Sequence, residues 1–125
     1  MRQMIVLAVV PILGSCAMPQ PGPERHGPPI ELAGRTPGPP ERCVMIEQLN
    51  SLRPSENDPH TLIYGSGRTI WANNLRQCRF GQDDVLVTEP FGSNHCQGDL
   101  VRSFDRVTRA PGPTCVLGEF VPFRR

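Results

Sequence analysis

The stretch Thr61-Leu62-Ile63-Tyr64-Gly65-Ser66-Gly67-Arg68-Thr69-Ile70-Trp71 limits what this chain can become more than any other. Two short runs of β-branched and aromatic residues flank a Gly-Ser-Gly. Glycine reaches the positive φ that a tight hairpin turn requires, so the pattern predicts a β-hairpin. An isolated hairpin is marginal in water, so further strands must complete its sheet. The register is left open. A three-residue turn puts Ile63 and Trp71 on one face, a two-residue turn pairs Leu62 with Trp71, and one slip exchanges the faces. Apolar residues fall on both faces, as expected where a sheet curls over its own core.

The remaining strands follow from composition and punctuation. Cys43 to Leu49 reads as a first strand, and Asn50 to His60, with Pro54, Asn57, Asp58 and Pro59, as a loop. Asp84 to Thr88 is a further strand. Asp99 to Val107 fits either a helical stripe capped by Asp99 or an alternating strand, and the alternation of Leu100, Arg102, Phe104 and Arg106 favours the strand. Ala110-Pro111-Gly112-Pro113 reads as a break, and Cys115 to Val121 as the last strand. Residues 43–125 are thus expected to form an all-β domain, a small antiparallel barrel or sandwich of five to six strands.

A core of this size is marginal, so covalent staples are expected. Cys43, Cys78, Cys96 and Cys115 surround the hairpin and allow three pairings. The pairing preferred here is Cys78–Cys96 with Cys43–Cys115, because the second bond would tie first strand to last, as in a closing barrel. By loop length these would contribute about 3 and about 4 kcal/mol.

The fifth cysteine, Cys16, has another role. Met4 to Leu13 is an apolar run too short to span a bilayer, preceded by a short n-region carrying Arg2. It ends in Leu13-Gly14-Ser15-Cys16, which resembles the bacterial lipobox: an aliphatic residue, two small residues, then the cysteine that receives diacylglycerol. Residues 1–15 are read as a lipoprotein signal peptide and Cys16 as the lipidated N-terminus, making a membrane the first expected partner. Ala17, rather than Asp, follows the cysteine. By resemblance to bacterial lipoproteins this favours the periplasmic face of the outer membrane. An exported domain with four remaining cysteines fits a compartment where disulfides persist.

Between anchor and domain, residues 16–42 hold eight of the fifteen prolines. Proline removes donors and fixes φ, so this stretch is expected to be a disordered tether that joins neither helix nor sheet. No Lys occurs, and from Cys43 onward nine Arg balance nine Asp and Glu. Net charge is +1, which gives no electrostatic case for nucleic acid.

No pattern specifies a reaction. His95-Cys96 with Cys78 lacks the paired spacing of a zinc site, so no metal and no cofactor is implied. His95 with Asp99 or Asp83 could form the acid–base set of a small hydrolase. Asp99 also suits a turn residue bonding local backbone. Tyr64, Arg68 and Trp71 could form a cation–π binding patch, although Trp71 more simply packs in the core. Gly65-Ser66-Gly67 lacks the lysine and helix of a phosphate loop.

Asn74 to Cys78, Cys96 to Val101 and Pro113 to Phe120, with Cys43 and the hairpin, together resemble a family of small exported proteobacterial proteins with a four-cysteine β-rich domain. The resemblance covers Cys43 to Pro122 and favours a strand at Leu100–Asp105. It implies a signal peptide or lipobox and transfers no catalytic residue. The expected function is a non-enzymatic envelope lipoprotein, a binding or structural module with an envelope protein as partner. An inhibitor of a cell-wall hydrolase such as lysozyme is the alternative of similar architecture.

Overall fold

The computed structural model describes Gly14 and residues 27–125, and every strand pairing in it is antiparallel. In chain order the strands are β1 Thr36–Pro37, β2 Cys43–Met45, β3 Arg53–Pro54, β4 Thr61–Tyr64, β5 Thr69–Asn74, β6 Asp84–Thr88, β7 Asn94–Cys96, β8 Leu100–Asp105, β9 Pro111–Val116 and β10 Phe120–Arg124. Six of them have four or more residues, which agrees with the antiparallel all-β class expected. They form a five-stranded sheet β1-β10-β5-β4-β3, a three-stranded sheet β6-β8-β9, and the pair β2-β7.

The hairpin is β4–β5. Its register matches neither of the two considered: Tyr64 lies opposite Trp71 and Ile63 opposite Ala72. The link is longer, running from Gly65 to Arg68, with Gly65 at φ 89° and Gly67 at φ 80°. All four β4 residues are buried. Alternate side chains point to opposite faces, so both faces of this sheet must be covered. Leu62 and Tyr64 face the main core with Val101, Leu117 and Phe120. Ile63 joins Ile70 and Ala72 on the other face, where Leu32 and Phe123 pack against them.

Leu32 belongs to the stretch expected to be tether, and there the expectation is corrected. Residues 27–42 form a strap across the domain. Ile30–Leu32 is one turn of 3-10 helix, β1 pairs with β10, and Glu41 exchanges two backbone hydrogen bonds with Phe120 (2.7 and 2.9 Å). Glu31 Oε2 accepts from Ser55 Oγ (2.7 Å), its Oε1 accepts from Glu56 N (2.9 Å), and Asn57 Nδ2 donates to the Pro28 carbonyl (2.8 Å). Prolines do not forbid this. Pro37 sits at an edge, where a lost donor faces solvent. Pro122 turns its carbonyl toward Gly38 N (2.7 Å), so its missing N–H falls on the strap side and leaves the β5 ladder intact. The signal peptide of residues 1–15 lies outside the described residues except Gly14, as do residues 16–26 of the tether.

Pro111 and Pro113 likewise do not break the chain but lie in β9, at the edge of its sheet. The ladder tolerates them through a bulge between Arg102 and Phe104. Leu100–Asp105 is a strand, as its alternation indicates.

The disulfides also correct the preferred pairing. Cys43 bonds Cys96, directly opposite it in the β2–β7 ladder, with Cα atoms 4.0 Å apart. Cys78 bonds Cys115 (Cα–Cα 5.8 Å), joining the link that follows β5 to β9. The expected closure of first strand on last is made by backbone instead, through the strap and β10. Cys43 is therefore free to serve a different neighbour.

Candidate functional site

Trp71 and Tyr64 lie side by side, with ring centroids 6.1 Å apart, but do not form an exposed patch with Arg68. The Tyr64 ring is buried, its hydroxyl accepting from Glu47 N (2.9 Å) and donating to the Met45 carbonyl (2.8 Å). Trp71 is half-buried against the core, its indole N–H donating to Glu41 Oε2 (3.0 Å). Arg68 is exposed in the hairpin loop, and its carbonyl accepts from Arg35 Nη1 (3.0 Å) and Arg125 N (3.1 Å). The aromatic pair is structural. It pins β2 and the strap to the hairpin.

His95 sits in β7 opposite Val44, only 6 % exposed, with its ring edge-on to Tyr64 at 5.5 Å. Its Nδ1 is buried without a hydrogen-bond partner among the described residues. Burial pushes the imidazole pKa down, and the nearby Asp99 carboxylate offsets part of that. Asp99 Oδ2 accepts from Cys96 N (2.8 Å), the local turn role expected of it. Asp83 is exposed in the turn before β6. A general base must reach substrate or water directly, and none of these three side chains lines either of two concavities, one beside Cys78–Cys115 and one beside Phe80. Among the described residues, no group of three or more His, Cys, Asp or Glu is placed to hold a metal ion. No described helix is long and apolar enough to cross a membrane.

A concavity lies elsewhere, an open groove of about 1140 Å³ between Asn74–Cys78 and Thr114–Glu119. Leu32, Ala72, Leu75 and Phe123 supply apolar surface, while Asp58, Arg76, Gln97 and Glu119 supply polar groups. Its walls are fixed by specific bonds. The buried Asn73 amide donates to the Gly118 carbonyl (2.8 Å) and accepts from Gly118 N (2.8 Å). A Cβ on Gly118 would come within 2.7 Å of the Asn74 carbonyl oxygen, so only glycine lets the two walls approach. His60 Nδ1–H donates to the Cys78 carbonyl (2.9 Å), and the Cys78–Cys115 bond closes the far end.

Arg76 stands on the rim at φ 57°, a left-handed conformation uncommon for a residue with a Cβ, with its N–H held by Asn74 Oδ1 (2.8 Å). Sequence reasoning missed this groove, because its walls come from segments forty residues apart. The signal available was the Asn73-Asn74 pair beside a strand and the lone Gly118 between two apolar runs.

No protein-family model, curated protein or solved structure matches this chain. What stands is a small antiparallel β-domain with four cysteines in two disulfides.

Proposed function

We propose that this chain is a non-enzymatic, lipid-anchored module of the bacterial cell envelope that binds a partner segment in the groove beside Cys78–Cys115. The groove carries this reading. It is open and rimmed by one guanidinium, two carboxylates and amides, and it contains no buried titratable group to drive a reaction. Arg76, held in a strained backbone conformation on the rim, is its natural contact for a carboxylate. The address follows from the Leu13-Gly14-Ser15-Cys16 motif and from two disulfides, which persist in an oxidising compartment such as the periplasm. Ala17 after the cysteine, by resemblance to bacterial lipoproteins, supports the outer membrane, periplasmic face.

Intact mass of the protein purified from bacterial membranes, alkylated before and after reduction, tests the address. Cleavage before Cys16 with added acyl chains, and four thiols that react only after reduction, is the expected result. Five free thiols on an unprocessed chain would overturn it.

A further inference from the structure

Residues 27–125 hold eleven Arg against eleven Asp and Glu, yet the charge is unevenly spread. Five of those arginines gather at the loop of the β4–β5 hairpin. Arg68 lies in the loop, Arg35 Nη1 donates to its carbonyl (3.0 Å), and Arg53 Nη1 donates to the Gly65 carbonyl (3.2 Å). Arg124 stands opposite Thr69 in the β10–β5 ladder, and Arg125 N donates to the Arg68 carbonyl (3.1 Å). Arg35 is half-buried and the other four are exposed. Among the described residues the ion pair present, Arg102–Glu89, includes none of the five. Glu31 turns its carboxylate away to Ser55 and Glu56, and Glu47 accepts from Asn50 Nδ2 (2.6 Å). A terminal carboxylate on Arg125 would still leave this end of the domain positive. Leu49, 98 % exposed, adjoins the cluster, because its neighbour Asn50 accepts from Ser66 Oγ (3.2 Å) through Oδ1.

We propose that this end of the domain docks on the anionic lipid headgroups of the bilayer that carries the chain, with Leu49 entering the interface. Grouped guanidinium groups raise the local potential and match phosphate oxygens in geometry as well as charge. Basic clusters of this size are drawn to anionic bilayer surfaces. An apolar side chain standing out among the cations suits the headgroup–acyl boundary, and an acidic peptide would leave it in water. The strap keeps the surface within reach. Cys16 precedes Gly27 by eleven residues, which span at most about 40 Å when fully extended. Gly27 lies against Asn57, and the hairpin loop is beyond it by the four residues of β4, about 13 Å. The choice of lipid as the occupant rests on the anchor at Cys16; the cluster itself does not.

Flotation of the full chain carrying Cys16→Ser, on phosphatidylcholine vesicles with or without phosphatidylglycerol, tests it. No acyl chain can form there, so the result is independent of the mass measurement that tests the anchor. The apolar run at residues 4–13 is common to every sample and cancels in the ratios. At low salt the chain should partition at least roughly tenfold better onto the anionic vesicles, and high salt should close the gap. Arg68→Gln, Arg124→Gln and Arg125→Gln should each lower anionic binding about fivefold. Leu49→Ser should weaken it further. The triple variant Arg79→Gln, Arg102→Gln, Arg106→Gln removes the same charge elsewhere and should lose far less. Each changed side chain is exposed, and unchanged circular dichroism separates lost docking from lost folding. Equal partition onto the two vesicle types overturns the proposal, as does an equal loss in both triple variants. A cluster that takes up polyglutamate but not anionic vesicles overturns it as well.

Discussion

The five-stranded and three-stranded sheets break the same rule in different ways. Each has apolar side chains on both faces, where an antiparallel sheet with one solvated face alternates apolar with polar. In the larger sheet the second face is packed by Leu32, brought there by a proline-bearing strap, together with Phe123 of β10 opposite Ile70. In the smaller one the second face is open among the described residues, with Leu100 and Val116 about half exposed. A two-sided apolar strand therefore signals that something covers it, but not whether the cover comes from the same chain. The sheets are joined by Cys78–Cys115, which ties the link after β5 to β9.

Removing that link should have the largest effect. Cys78→Ala with Cys115→Ala is expected to cost about 4 kcal/mol in urea unfolding, from the freed loop in the denatured chain. If the two sheets fold as one unit the transition stays single. A second transition would show that the three-stranded sheet depends on the bond for its docking.

Paired truncations come next. Ile63→Ala, on the covered face of β4, should lower stability by about 3 kcal/mol, through lost burial and the cavity left behind. Leu100→Ala, on the open face of β8, should stay within about 0.5 kcal/mol for the monomer. Equal losses would mean that the outer face is buried within a single chain, and the contrast between the sheets would fail.

How much of this could be read beforehand depended on the range of the interaction. The hairpin, the strand Asp84–Thr88 and the strand character of Leu100–Asp105 rest on alternation and turn residues, which are local. The hairpin register rests on turn length, and a Gly-Ser-Gly does not reveal that Arg68 belongs to the link. The disulfide pairing depends on which strands are neighbours. Cys43 could not be assigned to Cys96 without knowing that β2 pairs β7. The strap was hidden by proline content, because edge pairing needs only the donors and acceptors that remain, such as Glu41 with Phe120. His95 and Asp99 do come near each other, but the burial of His95 against Tyr64 depends on the β2–β7 pairing and is not written in the local sequence.

A smaller effect separates the β2–β7 pair from both sheets. The lowered pKa of His95 means that the folded chain favours the neutral ring, whereas the unfolded chain takes up a proton near the ordinary 6.5. Stability should therefore be complete above that value, fall as pH drops through it, and level off only below the folded-state pKa. One such group sets a slope of at most about 1.4 kcal/mol per pH unit. His95→Gln should flatten this part of a pH series of urea midpoints. An unchanged slope would place the linkage on another group.

The two hairpin turns provide the finest comparison. The β4–β5 turn of the covered sheet meets its positive φ with Gly65 and Gly67, while the β8–β9 turn of the open sheet uses Arg109 at φ 61°. That turn is otherwise well made, since the Asp105 carboxylate accepts from Val107 N (2.8 Å) and Thr108 N (2.7 Å), which hold its pKa below the ordinary carboxylate value. A side chain in the left-handed region costs about 1 kcal/mol that glycine would avoid. Arginine there returns part of this by laying its guanidinium 6.0 Å from the centroid of the Phe104 ring, on the open face. Arg109→Ala keeps the strain and loses the contact, whereas Arg109→Gly loses both. Alanine should therefore be the least stable, by about 1 kcal/mol, with arginine and glycine close together. If alanine matches arginine in urea midpoints, the guanidinium contributes nothing to Phe104, and the open face has no cover from its own hairpin.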